Sequence, residues 1–298
     1  MTNRMQARFL NLTLLLASLA LPAMAQPKVT VIDAPGAGTV SSPICAPLCG
    51  TTAYAINDLG VIVGSYTDAK IVPHGFLRQP DGRFVSFDAP GAGLGAGLNE
   101  GTVAYSINDL GAIAGQFEDS NLVFHGFVRD CYGFFTTFEA KEAGKGANQG
   151  TFAFSINLEG AIAGTYVDSN NTNHGFERSP EGEIVSFDPP GSVYTYPCQE
   201  TCINSAGIVT GFYQDVNNAV RGFIRYSDGK IFTFDAPGVG TGANKVTIAA
   251  SINPQGAISG YFLDSNGMAH GFIRYDEGTY NYVQRSGGCQ IRRRHGCA

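Results

Sequence analysis

The 298-residue chain has no tryptophan, and only 15% of its residues are charged. The first absence removes the ring best suited to stacking on sugars and leaves any such task to 13 tyrosines. A formal charge of −6 removes the broad basic surface that nucleic-acid binding needs. The one basic cluster, Arg292 to His295, follows Gly287 and Gly288 and reads as a solvated tail over residues 287–298. No stretch beyond the first 25 residues approaches the ~20 apolar residues that span a bilayer, so no membrane insertion is expected. Helical periodicity is also missing there. What is abundant is glycine, 39 residues of it, as a chain of short strands and tight turns requires.

Residues 1–25 have the form of a secretory signal peptide. Arg4 and Arg8 precede an apolar run over 10–21, and Ala23, Met24 and Ala25 form a small-residue cleavage site. Gln26 follows, not cysteine, so no lipid attachment is expected. Loss of both arginines would take the formal charge from −6 to −8. A secreted or periplasmic monomer is the expectation. In that setting seven cysteines point to disulfides. The close pairs Cys45 with Cys49, Cys198 with Cys202, and Cys289 with Cys297 are the simplest partners, leaving Cys131 over. A metal reading of the two C-x3-C pairs lacks a nearby histidine, and no metal or cofactor is expected.

The chain repeats itself five times. Asn57, Asn108, Asn157, Asn204 and Asn253 each follow an isoleucine, and fixed spacings lead on to two glycines and an aspartate: Asp68, Asp119, Asp168, Asp215 and Asp264. Six residues later stand His74, His125, His174, Arg221 and His270. Four further on come Arg78, Arg129, Arg178, Arg225 and Arg274. Each module reads as four strands joined by Asn- and Asp-rich turns ending in glycine, which supplies the positive φ of a tight hairpin. Four-stranded meanders of about 50 residues are propeller blades. The expected fold is therefore all-β, a five-bladed β-propeller of four-stranded antiparallel blades over residues 26–286. Its repeats fall near 30–87, 88–138, 139–187, 188–234 and 235–283.

The recurring His-Gly-Phe, glycine turn, β run and Ile-Asn-x-x-Gly-x-x-x-Gly resemble the bacterial extracellular HAF-type repeat family over essentially the whole mature chain. The departure is glycine at 75, 126, 175, 222 and 271, where that family has alanine. The resemblance implies an exported, propeller-like repeat protein and brings no catalytic residues with it. One surplus strand remains. Residues 29–32 match the fourth-strand type, which is expected to bring the two chain ends together in one blade.

Five copies of Asp, His, Ser and Arg argue for a structural clamp, since a single site needs each group once. Asp68 with His74, Asp119 with His125, Asp168 with His174 and Asp264 with His270 are expected to bond as in WD-type propellers, with Ser106 as a third partner. Such groups are tolerable in a blade only when paired. In the fourth copy Cys202 replaces the serine while Arg221 replaces the histidine, which suggests that the two positions touch. The phosphate-loop reading of Gly91 to Gly97 fails because no helix follows. The Asp-Ser-Asn turns offer too few acids for calcium.

All length variation falls between the modules, in 33–52, 88–102, 139–151, 188–201 and 235–247. Variable loops on a rigid scaffold are where binding usually resides. Asn99, Tyr194, Tyr196, Arg221 and Lys245 are accordingly binding candidates, with Lys141 and Lys145 among the other non-repeated residues. The expected function is a binding module for a glycan or a surface partner. The alternative is a polysaccharide-active glycoside hydrolase or lyase using Glu100, Glu142 and Glu200; a purely structural repeat is the third class.

Overall fold

The structure, a computed structural model, describes residues 29–39, 49–95, 100–198, 201–242 and 245–283. The chain divides into two units, Met1–Ile32 and Asp33–Ala298. Of the first, only residues 29–32 are described, and they form no strand. The second carries twenty strands and, among the described residues, no α-helix.

The strands group into five modules. Module 1 comprises β1 (Thr51–Ile56), β2 (Ile62–Thr67), β3 (Pro73–Arg78) and β4 (Phe84–Phe87). Module 2 comprises β5 (Gly101–Ile107), β6 (Ile113–Glu118), β7 (Phe124–Arg129) and β8 (Phe135–Phe138). Module 3 comprises β9 (Gly150–Ile156), β10 (Ile162–Val167), β11 (Asn173–Arg178) and β12 (Ile184–Phe187). Module 4 comprises β13 (Ser192–Pro197), β14 (Val209–Asp215), β15 (Val220–Arg225) and β16 (Ile231–Phe234). Module 5 comprises β17 (Val246–Ile252), β18 (Ile258–Leu263), β19 (Ala269–Arg274) and β20 (Tyr280–Val283). Within every module the four strands pair antiparallel in chain order. Single parallel bridges, Phe124 to Gly150 and Val220 to Val246, tie module 2 to 3 and module 4 to 5.

Two glycine series explain why the layers approach so closely. A Cβ on Gly164 of β10 would lie 2.1 Å from the Phe152 carbonyl and 2.7 Å from the Phe176 ring, so no side chain fits there. A Cβ on Gly175 would lie 2.7 Å from the Phe187 ring, and its counterparts at 75, 126 and 222 would meet Phe87, Phe138 and Phe234 at 2.5–2.7 Å.

Four hydrophobic cores are each shared by two successive modules among the described residues. Val63 and Leu77 of module 1 pack with Ile107, Ile113, Phe117 and Phe127 of module 2. Ala114 of module 2 packs with Ile156, Ile162, Tyr166 and Phe176 of module 3. Phe187 of module 3 meets Ile203, Val209 and Phe223 of module 4, and Ile224 of module 4 meets Ile252, Ile258 and Phe272 of module 5. The core of module 1 holds only its own Ala34, Tyr66 and Phe76. Arginine stacking follows the same rule. Arg129, Arg178, Arg225 and Arg274 each lie 4.9–5.1 Å from a phenylalanine of the preceding module, whereas Arg78 lies 5.9 Å from Phe84 of its own.

Candidate functional site

The conserved spacing of the five asparagines has a geometric cause. In each module the side-chain Oδ1 accepts the N–H four residues on, closing the turn after the first strand: Val61 to Asn57 and Ala112 to Asn108 at 2.9 Å, Ala161 to Asn157 at 2.8 Å. The Nδ2 of the same amide donates to the backbone of the next module. Asn57 reaches the Asn108 carbonyl at 3.1 Å, Asn108 reaches Asn157 and Asn157 reaches Asn204 at 2.9 Å, and Asn204 reaches Asn253 at 3.3 Å. Aspartate could not serve, since the residue must accept and donate at once. The result is a directional amide ladder running through all five modules.

A cavity of about 480 Å³ opens beside this ladder, with every module contributing to its wall. Tyr54, Asn57 and Asp58 come from module 1 and Tyr105, Asn108 and Asp109 from module 2; Asn157, Asn204 and Ile252 continue the wall through modules 3 to 5. A β-bulge delivers the aromatic groups. The pairing of β1 with β2 slips between Ala53 and Ala55, and that of β5 with β6 slips between Ala104 and Ser106, so Tyr54 and Tyr105 are the extra residues. Phe154 occupies the same position in β9. Their rings form a row: Tyr54 to Tyr105 at 5.0 Å, Tyr105 to Phe154 at 5.7 Å and Phe154 to Tyr196 at 5.3 Å. Burial raises the Tyr105 phenol above its ordinary value, with Tyr54 and Tyr196 adding to the effect, so it stays a neutral O–H donor. Asp109 accepts the Asp58 N–H at 2.9 Å.

This cavity lies at the C-terminal ends of the first strands, whereas the variable loops lead into their N-terminal ends. Of the loop candidates, Tyr196 joins the aromatic row and Tyr194 stacks on it at 5.9 Å. Lys245 is bound to Asp235 at 2.6 Å. Glu100 accepts the Gly95 N–H at 2.8 Å and Glu142 accepts the Ser186 hydroxyl at 3.2 Å, on separate loops, and neither lines the cavity. Asn99, Glu200, Cys45, Cys289 and Cys297 lie outside the described residues.

Each repeated histidine lies beside its turn aspartate, but in modules 1 to 3 its hydrogen bond goes to another acid. His74 Nδ1 bonds Asp88 at 2.8 Å while its Nε2 faces Asp68 at 3.6 Å; His174 does the same with Asp188 at 2.6 Å and Asp168 at 3.6 Å. His125 bonds Glu139 and faces Asp119 at 3.5 Å, and His270 bonds Asp264 at 2.9 Å. In modules 1 to 3 the base thus lies between the turn aspartate and the acid that opens the following loop, whereas His270 bonds the turn aspartate. Ser106 instead accepts the Ile156 N–H of module 3 at 3.2 Å, and Ser155 accepts the Cys202 N–H at 3.1 Å. Cys202 and Arg221 therefore changed in separate contacts, contrary to the expectation that they touch. Arg221 is a clamp residue, not a free binding group: its guanidinium reaches Asp215 at 3.0 Å and Asp235 at 3.4 Å, replacing the imidazole between the same two acids.

The bonds to Asp88 and Glu139 raise His74 and His125 respectively, against the opposing effect of burial. Burial acts to raise Asp119, but N–H bonds from Val123 and Asn121 outweigh it and hold the carboxyl below its usual range.

The disulfide expectation divides. Cys49 is disulfide-bonded. Cys198 and Cys202 are both buried and are not bonded to one another. Both join the strand that follows: the Cys198 N–H reaches the Thr210 carbonyl at 3.4 Å, and the Thr210 N–H reaches the Cys202 carbonyl at 2.9 Å. Both side chains pack into the core between modules 3 and 4, so each fills a hydrophobic position.

No family profile and no curated protein matches the chain. Among solved structures, AofleA from Arthrobotrys oligospora is similar at 13% identity over 78% of this chain and 77% of its own, with a TM-score of 0.44. The BP39L lectin from Burkholderia pseudomallei is similar at 10% identity over 79% of this chain and 71% of its own, with a TM-score of 0.47. These superpositions are loose, and nothing about a ligand is carried over from them.

Proposed function

We propose that the protein is an exported, five-bladed propeller of HAF-type repeats that binds a glycan in the cavity at the amide ladder. The carrying observation is the composition of that cavity: two tyrosine rings beside amide and carboxylate groups, within about 480 Å³. A sugar presents an apolar face of C–H groups and a rim of hydroxyls. Tyrosine meets the first and supplies an O–H to the second, and a few placed polar groups in a pocket of this size fix orientation. Tyr54 and Tyr105 thus take the part that tryptophan would otherwise play.

Closure of the ring is supported by what the end modules leave uncovered. Module 1 lacks the half-core that a preceding module supplies, and Ile56 is 65% exposed where Ile107, Ile156, Ile203 and Ile252 are 2–9% exposed. On module 5, Ser259 is exposed where its counterparts Ala114 and Ala163 are fully buried. These are the two halves of one interface, and joining them makes the fifth blade contact.

Glycan-array screening followed by calorimetry on the best hit tests the binding site. Tyr54→Ala and Tyr105→Ala should weaken binding at least tenfold while the fold, followed by circular dichroism, is kept. Unchanged affinity in both variants, or loss only on Tyr194→Ala, would move the site to the loops.

A further inference from the structure

We infer a second ligand site on module 2, at the opposite ends of its strands, that accepts the oxyanion of an acidic sugar, a carboxylate or a sulfate. A cavity of about 500 Å³ opens there, lined by Asp119, Asn121, His125, Glu139, Lys141 and Lys145 together with Val123, Ala140 and Ala143. That volume admits one or two sugar rings.

The charges in its wall divide into spent and unspent groups. Asp119 accepts the N–H groups of Asn121 and Val123 at 2.8 and 3.0 Å and the Asn121 amide at 3.2 Å. Glu139 is bound to His125 Nδ1. His125 itself is stacked on Phe117, with ring centroids 4.7 Å apart, so the imidazole is held by Glu139 and one ring while its Nε2 faces Asp119 at 3.5 Å. Glu142, which lies between the two lysines in sequence, accepts the Ser186 hydroxyl across on module 3. Lys141 and Lys145 are exposed and form no ion pair among the described residues. Two lysines therefore border a cavity whose acids already have partners.

No other module repeats this arrangement. The loops of modules 1 and 3, residues 88–102 and 188–201, contain no lysine or arginine. In module 4 the corresponding cation, Lys245, is taken up by Asp235 at 2.6 Å. The clamp recurs in the modules, and among the described residues a pair of loop lysines beside it occurs in module 2 alone. A delocalised oxyanion can accept from both ammonium groups, and charge-assisted bonds of this kind are the stronger ones.

Calorimetry with three probes tests the site: glucuronate, inorganic sulfate and glucose. Glucuronate should bind, with an affinity that falls as salt is added, and glucose should not. Sulfate binding alongside glucuronate would mean that the oxyanion suffices; glucuronate binding alone would mean that the ring is also read. The double variant Lys141→Ala/Lys145→Ala should weaken glucuronate binding at least tenfold, while Lys230→Ala, remote on module 4, leaves it unchanged. Tyr105→Ala should also leave it unchanged, which separates this site from the glycan cavity. Failure of both anions to bind, or glucuronate affinity indifferent to the lysine pair, would overturn the proposal.

Discussion

The middle modules and the end modules are built from nearly the same sentence of sequence, yet they differ in what covers them. Strands β6 and β10 are buried throughout, whereas β1 is mostly half-buried or exposed and β18 alternates. Ile107 and Ile56 occupy the same repeat position at 9% and 65% exposure. The lesson is that a module is only half of a hydrophobic unit, because its apolar flank is completed by the module before it. Arg78, left with its own Phe84, records the same incompleteness as a lost stacking partner.

The largest test of this contrast is isoleucine truncation. Ile203→Ala or Ile252→Ala should cost about 2–4 kcal/mol in urea unfolding, as full burial of an aliphatic side chain requires. With the ring closed, Ile56→Ala costs a comparable amount. A cost below about 0.5 kcal/mol would show that the arc stays open at module 1.

Next comes Glu118, which shares a strand face with Ala114 and so points toward module 3. It is 1% exposed, its Oε2 lacks a hydrogen-bond partner, and burial pushes its pKa up to about 7, helped by Glu100 and Asp119. The folded state then holds this proton more tightly than the unfolded chain does. Stability should therefore fall as pH rises from about 4.5 to about 7, by on the order of 2–3 kcal/mol. Glu118→Gln should flatten that slope in denaturation measured from pH 5 to 8, and an unchanged slope would place the proton elsewhere. The raised His74 and His125 act in the same direction: their stabilisation is complete below the ordinary histidine value and fades as pH climbs through the folded one.

A smaller effect separates module 4 from its neighbours. His174→Ala should cost ~1–3 kcal/mol, because Asp188 and Asp168 lose their shared partner. His174→Arg should cost under ~1 kcal/mol, since Arg221 already spans the equivalent acids; thermal unfolding of the pair decides whether the bridging, not the ring, is what counts.

The smallest is a gain. Ile71 and Leu122 hold φ of 70° and 63°, a conformation that Asn171 and Asn218 occupy in modules 3 and 4. Ile71→Asn should stabilise by about 1 kcal/mol by relieving the left-handed strain of a branched side chain. No gain in Tm would mean that Ile71 packs well enough to offset it.

Much of the site was legible in retrospect. The residue three before each repeated asparagine is Tyr54, Tyr105 and Phe154 in the first three modules, an aromatic column plain in the alignment. What concealed its meaning was the strand alternation, which gives no warning of a bulge turning that residue toward the cavity. The clamp pairs of aspartate and histidine were equally plain. Their loop acid, fourteen residues beyond His74, His125 and His174, was not, because it stands at the edge of the variable segment and looks like a turn residue.

The spacing of Asn, Gly, Asp, His and Arg by itself determined the all-β class, the repetition and the antiparallel order within a module, since local turn chemistry and period-two patterning act within a few residues. Only the tertiary structure decided which module completes which core, that Ser106 and Ser155 join modules instead of bonding a histidine, and that Cys198 and Cys202 serve as packing groups. Those outcomes depend on side chains about 50 positions apart meeting across a module interface, and identical repeats carry no mark of which neighbour each one will face.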